Sequence, residues 1–321
     1  MVGNDERGSE QVLRLGDFAR LFGTSNAEVQ RFCYDEILGH DFRYSKLEPM
    51  ERDEVILRAL KRINSVDLPI AGAAGSLKRW EKGWKGNLAE INNPASVESG
   101  LIPKYFKKNQ PLRLYQEFVK SPNPDFELDW FDVFRRWLFK KYLAKPEQVY
   151  EFGCGTGNNL ALLGRLFPDK TMYGLDWAVS SKKIVDRLAK IRGWNIQGKI
   201  FDFFSPDQSL KMPENSAVLT IDALEQTDSR YEKFLQFLIK KSPAVCIHVE
   251  PIVEWYDENN LIDYLAILHH RRRGYLEGFV NRLKSLESQK RIRILRLRRS
   301  YFGSMLIEGY SQVIWQPVAG H

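Results

Sequence analysis

Apolar residues recur three and four positions apart through residues 12–65, in VLRLGDFARLF, AEVQRFCYDEIL and ERDEVILRALKRI, and this spacing predicts three amphipathic helices. Thr24, Ser25 and Asn26 stand just before AEVQRF, where a short polar side chain can accept the free N–H groups of a first turn. Residues 1–10 are polar and read as a disordered lead-in. DLPIAGAAGS, residues 67–76, breaks the pattern with Gly, Ala and Pro and reads as a linker or an ordered turn. Residues 77–145 are aromatic and mixed in charge, with RWEKGW, LIPKYFKK and a helix predicted over WFDVFRRWLFKKYL. No internal repeat is evident.

From about residue 148 the pattern becomes an alternation. QVYEFGCG is a short apolar run ending in glycines, NNLALLGRLF is helical and TMYGLDW strand-like. SSKKIVDRLAKI is helical, KIFDFF strand-like, SAVLTIDAL a strand, RYEKFLQFLIKK a helix and PAVCIHVEPI a strand. Such alternation predicts an α/β fold, a parallel sheet with helices on both faces. RIRILRLRRSYF and YSQVIWQPV, joined by a short Gly-containing segment, predict a terminal antiparallel pair. We therefore divide the chain into an N-terminal helical region (1–76), a segment of aromatic linker and cap helices (77–145) and a main α/β domain (146–321) with a helical insertion at about 252–289.

Composition narrows the class. The 321 residues are 43% hydrophobic and 12% aromatic, enough apolar material to build a core and exclude general disorder. Cys33, Cys154 and Cys246 are few, odd in number and far apart, which argues against a disulfide scaffold and for a reducing compartment. No window approaches the roughly eighteen apolar residues that a membrane span needs. MVGNDERGSEQ carries no signal-peptide core, so the expectation is a soluble cytoplasmic protein. The net charge of +7 is concentrated locally, in Arg271–Arg273 and in KRIRILRLRR from Lys290 to Arg299. Basic and apolar residues alternate in that second run, as on a strand with one solvated face, although an anionic partner would suit it too.

The most specific feature is Glu151-Phe-Gly153-Cys154-Gly155-Thr-Gly157, a strand running through three alternate glycines into a helix. Glycine permits the tight turn and the close approach of a ligand to the backbone, and the helix N-terminus offers free N–H groups. Asp176 follows about twenty residues on, in the position of an acidic strand end that can hold a ribose diol. With GLDW, FDFF and TIDALEQ after it, residues 147–318 resemble a class I S-adenosylmethionine-dependent methyltransferase. The G-x-G-x-G spacing, with an acidic residue two positions before the first glycine, distinguishes the motif from the G-x-G-x-x-G of dinucleotide-binding enzymes. The resemblance implies a Rossmann-like, mostly parallel seven-stranded sheet whose last strand is antiparallel, with the N-terminal helices as a cap. It implies S-adenosylmethionine as cofactor. Glu151 would neighbour the methionine amino group, and Gly153, Cys154, Gly155 and Gly157 would line the methionine and ribose. Asp176 would bind the ribose hydroxyls, Trp177 would stack on adenine, and Asp202 would bond the adenine amino group with Phe203 beside it. Asp222 and Ala223 would close the strand facing the sulfonium. Trp177 and Phe203 could instead pack the core, and Asp176 could cap the helix of SSKKIV.

Methyl transfer needs an aligned nucleophile and, for an alcohol, a base. Among the strand ends, Asp222–Gln226 and His248-Val-Glu250 are unusually polar, and strand alternation puts His248 and Glu250 on one face. His248 is the first candidate base, with Glu225 and Glu250 in support and His269 as a further candidate. Each has an ordinary structural alternative, as a core histidine, a helix-surface residue or a cap. No spacing specifies a metal site. DALEQ stands where an Asn-Pro-Pro-Tyr type loop would, which favours a hydroxyl acceptor over an adenine or amide nitrogen. The extra helices suggest a closed pocket for a sugar, a glycan end or another metabolite, with Arg79, Trp80, Tyr105, Arg113, Glu254 and His270 as candidate acceptor contacts. Three alternatives remain: an N-methyltransferase of a small molecule or peptide, a DNA-binding regulator using residues 18–32 as a helix-turn-helix, and a silent protein that binds cofactor for structure. Only Gln30 and Arg31 of the second helix would suit DNA, so a nucleic-acid partner is disfavoured.

Overall fold

The alternation after residue 148 builds one seven-stranded sheet in the computed structural model, which describes residues 10–72, 76–91 and 96–318. Its strands are β5 (Gln148–Phe152), β6 (Thr171–Asp176), β7 (Ile196–Ile200), β8 (Ser216–Ile221), β9 (Val245–Glu250), β10 (Ile292–Arg298) and β12 (Ser311–Pro317). Their spatial order is β10-β12-β9-β8-β5-β6-β7. β5 pairs in parallel with β6 and β8, β6 with β7, and β8 with β9, while β12 runs antiparallel between β9 and β10. This is the α/β sheet expected from the sequence, with its final strand inserted in reverse. The expected strand through FDFF stops at Ile200, so Asp202 and Phe203 lie in the turn that follows.

Strand alternation loads both faces of the sheet. Val149, Ile247 and Val249 join the cluster made with α6 (Phe126–Tyr142), α7 (Asn158–Leu166) and α8 (Val179–Arg192). Tyr150, Phe152, Val218 and Cys246 pack on the other side against α9 (Glu232–Lys241) and α11 (Phe279–Ser288). The central strands are apolar almost throughout because both faces are covered.

The N-terminal part is more mixed than the helical expectation. It contains α1 (Leu15–Phe22), α2 (Asn26–Gly39), α3 (Pro49–Ile63), α4 (Ser76–Ile91) and α5 (Val97–Leu101), and Ser25 caps α2 by accepting the Glu28 N–H at 3.2 Å. It also supplies four short strands, β1 (Gln11–Val12), β2 (Arg43–Lys46), β3 (Leu112–Leu114) and β4 (Glu117–Lys120). These pair antiparallel with β11 (Phe302–Ser304) in a second sheet, β1-β2-β4-β3-β11. The run RIRILRLRRSYF is therefore divided: β10 stays in the main sheet and β11 leaves for the smaller one. The stretch 252–289 holds α10 (Leu261–Arg273) and α11. The lead-in at residues 1–9 lies outside the described residues.

Aromatic packing fixes the N-terminal elements to the sheet domain. Trp130 of α6 is fully buried and stacks on Phe302 of β11 at 4.1 Å and on Phe134 at 5.4 Å, and Phe22 of α1 meets it edge-on at 5.6 Å. Full burial of such a side chain contributes roughly 1.5–3 kcal/mol. Part of the basic run is also used internally. Arg296 donates to the carbonyls of Phe22 and Gly23, and Arg298 donates to that of Arg20 at 2.6 Å, so two guanidiniums close the carbonyl end of α1. Those charges answer a helix terminus rather than an external anion.

Candidate active site

The glycine motif sits at the carboxyl end of the central strand β5. Gly153, Gly155 and Gly157 all have left-handed backbones (φ +76°, +51° and +72°). A methyl group on Gly153 would overlap Ala223 Cβ, and one on Gly155 would stand 3.0 Å from the Trp84 ring. The turn is held from the next strand: Asp176 Oδ2 accepts the Gly155 N–H at 2.9 Å, and its Oδ1 accepts the Ala178 N–H at 2.8 Å. Burial pushes the Asp176 carboxyl up to about 6, against the pull of those two N–H donors.

These strand ends open on a cavity that is partly open to solvent. Gly153, Cys154, Gly155, Asp176, Trp177, Phe203, Asp222 and Ala223 line it, as do Trp80 and Tyr105 from the N-terminal segment. Trp84 of RWEKGW, Pro103 of LIPKYFKK and Gln226 of the polar strand end also line it, and sequence reasoning missed Phe131, Thr156, Asn158, Asn159, Phe201, Phe204, Ile221 and Thr227, which complete the wall. Trp84 had a usable signal, because it lies four residues after Trp80 on α4 and the two indoles stack at 5.2 Å. Phe131 and Asn159 had none, since only the packing of α6 and α7 brings them to the motif.

Glu151 lies just beneath this wall. Asn159 donates to its Oε1 at 2.7 Å, Arg135 donates to Asn159 Oδ1 at 2.9 Å, and Arg135 also donates to Asp132 at 3.0 Å. The relay orients Glu151, yet its Oε2 is buried without a hydrogen-bond partner among the described residues. Burial lifts this carboxyl to about 8. An orphaned acceptor of this kind is suited to a cationic donor supplied by a ligand. Asp202 is turned to its own loop, accepting the Phe204 N–H at 2.8 Å, and Gly157 forms the N-cap of α7.

The candidate bases and acceptor contacts are mostly elsewhere. His248 is fully buried on the α11 face of β9, against Phe279 and Trp315, with Nδ1 2.9 Å from Thr220 Oγ1. It does not line the cavity, and burial drives it down to about 3, so it stays neutral. His269 and His270 are buried on α10, packed edge-on against Tyr275, and His270 Nε2 is 2.7 Å from the Leu276 carbonyl. Arg113 is enclosed under α10, donating to the Ile262 and Leu306 carbonyls beside Asp263. Glu254 belongs to a short 3-10 turn after β9, and Arg79 stands over the Trp80 ring outside the lining. Glu250 caps the turn after β8, accepting the N–H groups of Ala223, Leu224 and Glu225 at 3.0–3.1 Å. Glu225 is buried behind Gln226, whose amide donates to it at 2.6 Å. Strand periodicity correctly put His248 and Glu250 on one face, but that face is covered by α11 and only the strand end reaches the cavity side. Among the described residues, no group of three or more His, Cys, Asp or Glu could hold a metal ion, and no helix is long and apolar enough to cross a membrane.

No protein-family model matches the sequence. A tRNA (guanine-N(7)-)-methyltransferase of Drosophila simulans is 29% identical over 106 residues, 32% of this chain, and the chain spans 40% of that protein's length. Among solved structures, the [4+2]-cyclase SpnF is 13% identical with a TM-score of 0.49, covering 78% of this chain and 98% of its own. The O-methyltransferase NcsB1 from neocarzinostatin biosynthesis, in complex with S-adenosylmethionine, is 16% identical with a TM-score of 0.41 (60% of this chain, 58% of that one). Human N-acetylserotonin methyltransferase, also with S-adenosylmethionine, is 14% identical with a TM-score of 0.36 (59% and 56%).

Proposed function

We propose that this chain, which has the class I S-adenosylmethionine-dependent methyltransferase fold, transfers a methyl group from that cofactor to a small acceptor admitted to the aromatic cavity. The fold is carried by the strand order, with one reversed strand between β9 and β10. The activity reading rests on one observation above all: the buried, unpartnered Glu151 Oε2 beside a left-handed glycine turn that Asp176 holds open.

The residues fit the cofactor part by part. Glu151 would take the methionine ammonium, Asp176 the ribose hydroxyls, and Trp177 and Phe203 would flank the adenine. When bound, the cofactor supplies a methyl group on a sulfonium. The chain's own contribution is alignment and exclusion of water: Trp80 and Trp84 of α4 roof the glycine turn, and Glu81 of the same helix accepts from the Ser180 N–H at 3.0 Å and its hydroxyl at 2.6 Å, tying that roof to the start of α8.

The roofed wall supports a small-molecule or glycan-end acceptor. His248 lies outside that wall, so the reading of a hydroxyl acceptor deprotonated by His248 loses its first support. Calorimetric titration with S-adenosylhomocysteine tests the reading. Micromolar binding at one site per chain is expected, and absence of binding to folded protein would overturn it.

A further inference from the structure

Asp222 directly follows β8, on the opposite side of β5 from β6 and its Asp176. A cofactor with its ribose at Asp176 and its ammonium at Glu151 therefore extends its sulfur toward Asp222. The residue is non-glycine yet left-handed (φ +50°), and its surroundings enforce that conformation. Its own N–H is held by the Val249 carbonyl at 3.0 Å, and Glu250 holds the next three N–H groups. The result is a carboxylate on the cavity wall that forms no hydrogen bond or ion pair with the described residues.

The groups acting on it are all of one sign. Glu225 and Glu250 face it from their own turn and from β9, and Glu127 faces it from α6. Tyr105 and Tyr310 also sense its charge, and Tyr310 donates to Glu127 at 2.9 Å. Glu225 is itself buried with an Oε2 that has no hydrogen-bond partner among the described residues. Among the described residues no guanidinium or ammonium group acts on Asp222, and burial together with these carboxyls holds its own carboxyl well above the usual range. Asp222, half-buried on the wall, and Glu225, buried behind it, both keep unused oxygens, which suits this end of the cavity to a cationic group.

We propose that Asp222 receives the acceptor's reacting group, that this group is a basic nitrogen arriving as an ammonium ion, and that Asp222 takes up the proton that frees its lone pair. The inference rests on the methyltransferase reading above. The arriving cation offsets the like-charged carboxyls, which a neutral hydroxyl does not. The arriving ammonium first displaces the Asp222 proton to solvent, and one proton then passes from R–NH3+ to the carboxylate so formed. The nitrogen lone pair then forms the C–N bond as the methyl C–S bond breaks, with its electron pair left on sulfur. The products are the methylated ammonium and S-adenosylhomocysteine, and Asp222 is left protonated as it began, so that one proton in all has gone to solvent.

Two cofactor analogues test this without knowledge of the acceptor. S-adenosylhomocysteine is neutral at sulfur, whereas sinefungin carries an amine-bearing carbon in place of the methylsulfonium. Both are titrated calorimetrically at pH 7 in two buffers of different ionisation enthalpy, so that proton release is counted. Sinefungin is expected to bind at least about tenfold tighter than S-adenosylhomocysteine and to release more protons, because its cation drives the proton from Asp222. In Asp222→Asn both differences should vanish, and Asp222→Glu should retain the cation preference. If Asp222→Asn does not fold, the wild type and Asp222→Glu decide. Equal affinity and equal proton release for the two analogues in the wild type would overturn the role of Asp222 alone. Failure of both analogues to bind folded protein would overturn the methyltransferase reading with it.

Discussion

Asp176 reaches across from the end of β6 to accept the Gly155 N–H at 2.9 Å, so the residue expected to hold a ribose is also the brace of the glycine turn. Asp176→Ala should therefore weaken S-adenosylhomocysteine binding by about 1–3 kcal/mol, through lost ligand bonds and an unpaired backbone donor. It should also lower thermal stability without ligand. Calorimetry and a melting curve separate the two effects, and an unchanged dissociation constant would exclude Asp176 from the cofactor site.

Gly155→Ala tests the close approach itself. The backbone there is left-handed (φ +51°), and the added methyl would stand 3.0 Å from Trp84. The turn and the roof above it must both shift. Cofactor affinity should fall by at least about tenfold, since a left-handed non-glycine residue alone costs roughly 1–2 kcal/mol. Wild-type affinity would show that the ligand does not pass over this turn.

His248→Ala should behave as a core substitution. The imidazole is fully buried against Phe279 and Trp315 and is bonded to Thr220. We expect a stability loss of about 2–4 kcal/mol from the cavity and the stranded hydroxyl, with cofactor affinity within about twofold of wild type. Selective loss of cofactor binding in a stable variant would contradict this assignment.

The ligand-free protein should lose stability as pH rises from 6.5 to 8.5. Burial lifts Asp176 to about 6, Glu127 and Glu250 to about 7, and Glu151 to about 8. Between their unfolded and folded values these groups are protonated in the fold and ionised in the unfolded chain, so raising the pH favours unfolding. His248, His269 and His270 act in the opposite direction, with burial depressing them to about 3, 3 and 4. Their contribution grows with pH but is complete near their unfolded value of about 6.5, which leaves only the carboxyl effect above it. The melting temperature at pH 8.5 should be below that at pH 6.5, and a flat or rising profile would be inconsistent with these buried carboxyls.

The glycine motif and the acidic end of β6 were legible because their chemistry depends on adjacent residues and on strand alternation. Gly153, Cys154, Gly155, Asp176, Trp177, Phe203, Asp222 and Ala223 do share one cavity. The acceptor side was less legible because it is assembled across the chain. His248 satisfies the local pattern of a strand-end base, yet Phe279, thirty-one positions later, covers it. Arg113 was a candidate acceptor contact, but α10 encloses it with Asp263. Glu250 was correctly marked as a polar strand end, while its task of holding three N–H groups depends on how the turn after β8 folds back. The small second sheet was hidden for the same reason, since β3 pairs with a strand almost two hundred residues away.

A co-crystal structure with S-adenosylhomocysteine tests the central claim most directly. The account predicts the ribose hydroxyls on Asp176, the methionine ammonium on Glu151 Oε2, the adenine beside Trp177 and Phe203, and the sulfur directed toward Asp222. A ligand bound in another place, or in this cavity with its ribose away from Asp176 and Glu151 Oε2 still unpartnered, would contradict it.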